Sequence, residues 1–335
     1  DRPIRPLFPK TWRNDTMIYS LLISMDGIND GGPLSMLGAS CALLLSELPF
    51  REPVAGVRIG RIKDTKEFIF FPTFEERAQL DLELIVAGKK GAILMVEGGG
   101  NQLPEATILE ALESAQMEIN KLCDLQLKIV DAATKSGKII NKRQPTSPVS
   151  PEPITSFLNE KALKEVQKQL HAGYKGKHEL DDQLDILSQR LALEVAKLSQ
   201  TDPRYSGQDT LVPSLVEELK GVEGRKMIVH EKIRTDGRRL DQVRSITIQV
   251  PTLPCAHGSA VFTRGETQAL TAATLGTPAD MQVMDELEGD YKDRFMLHYN
   301  MPPYATGECG RVGTPKRREI GHGRLAKRAL LAVLP

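Results

Sequence analysis

The sequence has no long apolar run and few cysteines. No stretch of about 18 consecutive apolar residues occurs, so we expect no membrane-spanning helix. The four cysteines lie far apart and form no CxxC pair, which argues against a zinc site and against a disulfide framework. We therefore expect free thiols in a reducing compartment.

The chain also lacks an initiator methionine and a net charge. It begins at Asp1 without a signal-peptide pattern, so we expect a processed or partial product. Basic and acidic side chains number 44 each, a balance that usually argues against nucleic acid. The segment 311–328 departs from this balance, because it carries seven basic residues and a single acid, Glu319. Such a patch suits phosphate binding, although a solvated helix face is the commoner origin of charge runs.

Apolar periodicity and helix-breaking residues divide the chain into four segments. Residues 1–135 predict an α/β unit whose long amphipathic helix opens at Pro104. Residues 136–153 are rich in Pro, Ser and Lys and predict a linker. Residues 154–225 have little strand signal and predict a domain of three or four helices, which we interpret as having a spacer or packing role. Strand patterns return in residues 226–335.

Several strands are predicted within the two outer segments. Short alternating or β-branched runs bounded by turn residues are typical of strands. The run 16–24 (TMIYSLLIS) predicts a buried strand, and the run 294–299 (RFMLHY) predicts another. Strand pairs are expected at 57–62 with 67–71 and at 82–87 with 92–97, and further strands at 245–250, 259–263 and 268–275.

The two ends of the chain resemble each other. Residues 1–9 read DRPIRPLFP and residues 327–335 read KRALLAVLP, which aligns Arg2 with Arg328 and Pro9 with Pro335. The match is short and weak by itself. Taken as an internal repeat, it predicts that the chain contains the back half of one repeat and the front half of the next.

Four motifs together resemble the opening of the second RNase PH-type core of the polynucleotide phosphorylase family. They are RTDGR at 234–238, HGSAVFTRGETQAL at 257–270, HYNMPPY at 298–304 and GTPKRREIGHGRLA at 313–326. DRPIRPLFP resembles the middle of the first core, and GAS at 38–40 and LIVAG at 84–88 resemble its second half.

The resemblance implies an α/β (α+β) fold with two RNase PH-like cores, each partly represented and joined by an all-helical domain. On this basis we expect residues 1–135 to be the second half of the first core and residues 226–335 to be the first half of the second. The implied activity is a 3′→5′ phosphorolytic exoribonuclease that releases nucleoside diphosphates from RNA and polymerises RNA in reverse. Implied partners are magnesium or manganese, inorganic phosphate, single-stranded RNA 3′ ends, two further copies of the chain in a trimer, and an RNA-degradation complex.

The predicted catalytic residues are Arg317, Arg318 and His322. Arginine offers a bidentate fork to phosphate oxygens, and a helix that begins at KRRE adds its N-terminal dipole. By resemblance, the arginine pair contacts phosphate or the 3′-terminal nucleotide. His322 lies four residues after Arg318 and faces the same way along a helix, so it reaches the same RNA end or packs at the helix N-terminus.

Three more arginines are predicted to bind RNA. Arg2 and Arg5 lie between prolines that stiffen their loop, and they resemble family arginines on the RNA path. The alternative is ion pairing within the chain, which is equally expected for such arginines. Arg264 in FTRGET either faces RNA or pairs with Glu266. The tyrosines of HYNMPPY offer bases a stacking surface, but a rigid packed turn is the favoured interpretation.

The resemblance places the phosphate-binding serines and the metal-binding aspartates beyond Pro335. No metal site is therefore expected within the chain. Glu75, Asp81 and Glu83 lie near the equivalent carboxylates of the first core, but residues 30–32 lack serines and Ile85 stands where a lysine is expected. A second metal site there is disfavoured, and this chain alone is expected to be inactive.

A non-catalytic role is the alternative to the enzyme hypothesis. A degenerate phosphorylase-like chain also suits a scaffold or an RNA-binding subunit of a larger assembly. The motifs look bacterial, which favours the cytoplasm, with a mitochondrion or plastid as the alternative.

Overall fold

The structure is a computed structural model in which the chain forms two compact units. The first unit comprises Asp1–Ser147 with Gly276–Pro335, and the second comprises Pro148–Leu275. The expected segment 226–335 is thus divided between the two units. The described residues are 1–12, 14–144, 152–174, 176, 178–286 and 289–334.

The described residues form eight α-helices and nine strands, with short 3₁₀ segments between them and one π-helical turn at Met227–Glu231. In chain order the first elements are α1 Gly32–Leu45, β1 Ala55–Ile62, β2 Phe68–Phe70, α2 Phe74–Arg77, β3 Leu80–Lys89, β4 Ala92–Gly100 and α3 Glu105–Lys135. The remainder are α4 Glu152–Lys161, α5 Leu163–Leu170, α6 Glu179–Leu198, α7 Val212–Lys226, β5 Ile246–Gln249, β6 Gly258–Arg264, β7 Thr267–Ala273, β8 Gln282–Glu286, β9 Gly289–Asp293 and α8 Arg317–Leu331.

The main core of the first unit lies between an antiparallel sheet, ordered β2-β1-β3-β4, and helix α3. Alternate strand residues such as Val57, Ile59 and Val86 are fully buried beneath the helix. These alternate strand residues pack against the apolar face of α3, which includes Ala115 and Ile119. One face of the sheet and one face of the helix are thereby removed from water. Both predicted hairpins and the long helix opened by Pro104 are confirmed.

Two predicted strands are wrong. Residues 16–24 and 294–299 adopt no strand in the structure. The first run leaves its apolar side chains exposed, with Ile23 at 95%. A strand is stable only when a neighbour pairs its backbone groups, and no described strand pairs with either run. The hairpin β8–β9 was missed instead, because its charged residues lack an alternating apolar pattern.

The start of the predicted linker 136–153 is docked on the first unit. The Lys142 ammonium donates hydrogen bonds to the carbonyl oxygens of Leu43, Leu44 and Ser46 at 2.9, 2.9 and 2.8 Å. The last carbonyls of a helix lack intrahelical partners, so this cation caps the C-terminus of α1. The part of the linker at 145–151 lies outside the described residues.

The second unit combines four helices with a three-stranded sheet. Helices α4 to α7 fall where three or four helices were predicted, and they pack around buried residues such as Leu158, Val166, Leu191 and Val216. Strands β5, β6 and β7 form an antiparallel sheet in that order, which confirms the three strands predicted there.

Candidate anion site and the ion-paired sheet

The predicted catalytic arginines begin helix α8. Lys316 is its N-cap residue, and Arg317 and Arg318 occupy the first two helical positions, both exposed. Among the described residues, neither arginine forms an ion pair, and neither of their backbone N–H groups donates a hydrogen bond. The first N–H groups of a helix have no partner within the helix and carry the positive end of its dipole. Here they add positive electrostatic potential to that of the two guanidinium groups. The arrangement suits an anion such as phosphate.

Helix α8 is fixed against the segment that precedes it. Gly323 is buried beside Tyr299, where an added Cβ would lie 3.3 Å from the tyrosine Cβ. The neighbouring His322 ring meets the Tyr299 ring edge to face, with centroids 4.9 Å apart and planes at 81°. The predicted catalytic histidine therefore shares the helix of Arg317 and Arg318, and it also packs on an aromatic ring.

Glu319 is a residue at the start of α8 whose contacts the sequence reasoning missed. Its Oε1 accepts the N–H of Met301 at 2.6 Å, and its Oε2 accepts the N–H of Lys316 at 2.6 Å. These hydrogen bonds, from Lys316 first and Met301 second, hold the pKa of the Glu319 carboxyl below its ordinary value. A glutamate three residues after an N-cap commonly reaches back to the N-cap N–H, so the spacing in KRRE carried the signal for that contact.

The remaining cations of the basic helix are paired with carboxylates. Arg324 lies 3.9 Å from Glu286, and Arg328 lies 3.5 Å from Glu97. Lys327 forms an ion pair with Asp293. Helix α8 therefore carries two kinds of cation: the paired Arg324, Lys327 and Arg328 towards its C-terminus, and the open Arg317 and Arg318 at its start.

The carboxylates of the sheet are occupied by arginines. Arg58 on β1 pairs with Asp30 at 2.6 Å and also with Glu83 on β3. Arg77 joins Glu83 at 2.9 Å.

A second pair lies at the end of β1, where Arg61 contacts Asp81 through both carboxylate oxygens. The hydrogen bonds from Arg61 lower the pKa of the Asp81 carboxyl, against the opposing effect of its burial.

These carboxylates do not fit a divalent metal ion. A hard cation requires several free oxygen ligands around one point. Asp81 and Glu83 are bonded to guanidinium groups, and Glu75 is exposed at the start of α2. No group of three potential His, Cys, Asp or Glu ligands occurs among the described residues. We therefore derive no reaction step through a metal in this part of the chain.

Two of the predicted RNA-binding arginines form exposed ion pairs. Arg2 donates to Glu97 at 3.0 Å, so that carboxylate serves both Arg2 and Arg328, the two residues aligned by the internal repeat. Arg5 pairs with Asp1 at 2.8 Å. Exposed pairs of this kind contribute about 0–1 kcal/mol, so an RNA phosphate can replace either carboxylate at small cost. Their RNA-binding role stays a prediction.

Arg264 lies in the second unit, at the exposed end of β6. The next residue, Gly265, has a φ of +63°, which permits the tight turn into β7. Arg264 is paired with Thr267, and the two residues flank the turn of the hairpin. The structure thus gives Arg264 an accessible position, and its contact with RNA stays a prediction.

Two segments of the chain match models of one protein family. Residues 52–118 match the 3′ exoribonuclease family, domain 2, and residues 242–335 match the 3′ exoribonuclease family, domain 1. The first segment contains the ion-paired sheet, and the second contains the open arginines of α8. Both structural regions described above thus fall within segments that match models of this family.

Along its whole length the chain resembles polyribonucleotide nucleotidyltransferases, which confirms the resemblance inferred from its motifs. It is 43% identical over 335 residues to the protein of that name from Citrifermentans bemidjiense, covering all of this chain and 46% of the relative. The corresponding proteins of Elusimicrobium minutum and Gluconobacter oxydans are 39% and 42% identical, over 46% and 45% of their lengths. The chain therefore spans under half the length of these relatives.

Other comparisons add little. The solved structure of rice (Oryza sativa) Rrp46 aligns with a TM-score of 0.28 and 18% identity, over 31% of this chain and 50% of that one, which is too weak for an argument. Among the described residues, no helix is both long and apolar enough to cross a membrane.

Proposed function

We propose that the chain is part of a 3′→5′ phosphorolytic exoribonuclease that releases nucleoside diphosphates from RNA and polymerises RNA in reverse. One observation carries the proposal: Arg317 and Arg318 open a helix in an RNase PH-type segment without a carboxylate partner among the described residues. The name of the relatives supports the reaction class.

The chemistry requires positive charge around two phosphorus atoms. An oxygen of inorganic phosphate attacks the phosphorus of the last phosphodiester, and the bond to the 3′ oxygen of the preceding nucleotide breaks. The terminal nucleotide leaves as a nucleoside diphosphate, and the shortened RNA keeps a 3′ hydroxyl. Charge-assisted hydrogen bonds from Arg317 and Arg318 hold the attacking phosphate and stabilise charge on the transferred group. His322, one turn along the helix, contacts the same RNA end.

The proposal includes partners. Magnesium or manganese assists the reaction, and the carboxylates described above do not supply its site. Single-stranded RNA 3′ ends are the substrate, with Arg2, Arg5 and Arg264 as backbone contacts. The protein acts as a homotrimer within an RNA-degradation complex. Its compartment is the bacterial cytoplasm, with a mitochondrion or plastid as the alternative, and the bacterial origin of its relatives supports a bacterial protein.

The product of oligoadenylate degradation tests this function. The full natural polypeptide that contains these residues is given oligoadenylate and magnesium, with and without inorganic phosphate. Release of ADP that requires phosphate is the expected result, because phosphorolysis transfers the nucleotide to phosphate. AMP release would identify a hydrolase instead. Release of neither ADP nor AMP would favour the non-catalytic scaffold.

A further inference from the structure

A single carboxylate joins the two ends of the loop before α8. Glu319 binds the N–H of Met301 and the N–H of Lys316, each at 2.6 Å. The intervening segment 302–315 contains no regular element apart from a 3₁₀ turn at Pro303–Thr306. The carboxylate therefore fixes the loop closure that precedes Arg317.

The same carboxylate does not neutralise the arginines beside it. Glu319 is adjacent to Arg318 in sequence, yet neither arginine pairs with it. Its two oxygens accept hydrogen bonds from backbone N–H groups, which lower the pKa of its carboxyl. On the sheet, by contrast, Asp81 and Glu83 bind guanidinium groups directly.

We propose that Glu319 is a positioning residue, which locks the N-terminus of α8 through Met301 and Lys316 so that Arg317 and Arg318 stay open and oriented for phosphate. Contacts of Gly323 and His322 with Tyr299 fix the helix one turn later. Two points of attachment define the direction of a helix, and Glu319 supplies the one nearest the arginines. The inference rests on the proposed function only where turnover is concerned.

The substitution Glu319→Gln distinguishes a positioning role of Glu319 from a purely electrostatic effect of its charge. If Glu319 acted only through its charge, Glu319→Gln would strengthen phosphate binding, because a nearby negative charge repels the anion. A positioning role predicts the opposite, since a glutamine offers one acceptor oxygen and turns an N–H₂ group towards the other backbone donor. The opposite signs make the result decisive.

The experiment measures the affinity of the full natural polypeptide for inorganic phosphate by calorimetry, without RNA. Glu319→Gln is expected to weaken it between about tenfold and a hundredfold, the range that misplacement of a binding group produces. Glu308→Gln is the matched control: it removes a charge from the same loop, and the exposed Glu308 side chain forms no hydrogen bond or ion pair among the described residues. This control is expected to leave the affinity within about twofold.

A combined variant tests whether Glu319 acts through the arginines. In the background Arg317→Ala with Arg318→Ala, Glu319→Gln is expected to cause less than about a twofold further loss, because residues that act as one unit are not additive. An unchanged or tighter affinity in Glu319→Gln alone, or full additivity with the arginine variants, would overturn the positioning role.

ADP release is scored separately, so the two proposals fail independently. Normal ADP release by the wild type, with an unchanged phosphate affinity in Glu319→Gln, overturns the positioning role alone. No ADP release, with a phosphate affinity that depends on Glu319 and the arginines, overturns the proposed function alone. A wild type that neither binds phosphate nor releases ADP overturns both.

Discussion

Two arginine clusters of the first unit differ in what holds their neighbouring carboxylates. On the sheet, Arg58 and Arg61 are bonded to Asp30, Glu83 and Asp81. At the start of α8 the nearest acid, Glu319, is bonded to backbone N–H groups instead, and the arginines are left without an acidic partner among the described residues.

The difference shows how one residue type serves structure in one place and ligand binding in another. A guanidinium group that is paired with a carboxylate contributes to packing of the sheet and has fewer donors and less net charge to offer an anion. A fork that faces solvent beside a helix N-terminus has five donors available. Variants of each cluster should therefore affect different properties of the protein.

Loss of the open cluster should affect turnover and leave stability intact. The double substitution Arg317→Ala with Arg318→Ala is expected to lower phosphate-dependent ADP release by about a hundredfold or more, as for other groups that stabilise developing charge. The melting temperature should stay near that of the wild type, because both side chains are exposed. Arg324→Ala, on the same helix, is the matched control. Equal losses in the control and the double variant would remove the arginines from the site.

Loss of the paired cluster should affect stability. Arg58→Ala leaves Asp30 without its arginine and removes one of two arginines from Glu83, both in partly buried positions. We expect the free energy of unfolding to fall by about 2–3 kcal/mol, below the range for fully buried pairs. Denaturant titration measures it, with Arg317→Ala as the control. A loss under about 0.5 kcal/mol would mean that the sheet pairs are worth no more than surface ones.

The stability of the sheet should depend on pH through Asp81. Arg61 lowers the pKa of Asp81 below 3.8, so its contribution is fully present above that value and is lost as pH falls through the lowered pKa. Unfolding measured between about pH 5 and pH 2.5 should show this loss in the wild type and a weaker dependence in Arg61→Met. Identical pH profiles would show that Arg61 does not govern Asp81.

The thiols of the two regions should differ in reactivity. Cys123 is fully buried under the sheet, and burial raises the pKa of its thiol to about 11. Cys309 is exposed in the loop before α8. A thiolate reagent at neutral pH should label Cys309 in the native protein and Cys123 only after unfolding, as measured by peptide mass spectrometry. Fast native labelling of Cys123 would contradict the packing of α3 on the sheet.

Local patterns predicted the elements whose partners lie close in sequence. The hairpin β3–β4 and helix α3 follow from alternation, from turn residues and from Pro104. The runs 16–24 and 294–299 have strand composition, but composition does not supply the neighbouring strand that pairing requires. The β8–β9 hairpin is the exception among local pairs, since its strands lie close in sequence but carry no alternating apolar pattern.

The sequence predicted the cations of the candidate site, but it did not predict which carboxylates pair with which cations. The KRRE motif identified Arg317 and Arg318 from residue type alone. Whether an arginine is open depends on which acids reach it, and Glu97 lies far from Arg328 in sequence. The sequence likewise showed Glu319 as the single acid among seven cations. Its hydrogen bond with Met301 could not be predicted, because it depends on how the intervening loop folds.

The central claim is that phosphate binds at the N-terminus of α8 and not at the sheet arginines. Titration of the full natural polypeptide, labelled with ¹⁵N-arginine, against inorganic phosphate tests it directly by NMR. We expect the largest shifts at the backbone and guanidinium N–H signals of Arg317 and Arg318, with the signals of Arg58 and Arg61 unchanged. Shifts confined to Arg58 and Arg61, or an absence of shifts at Arg317 and Arg318 under saturating phosphate, would contradict it.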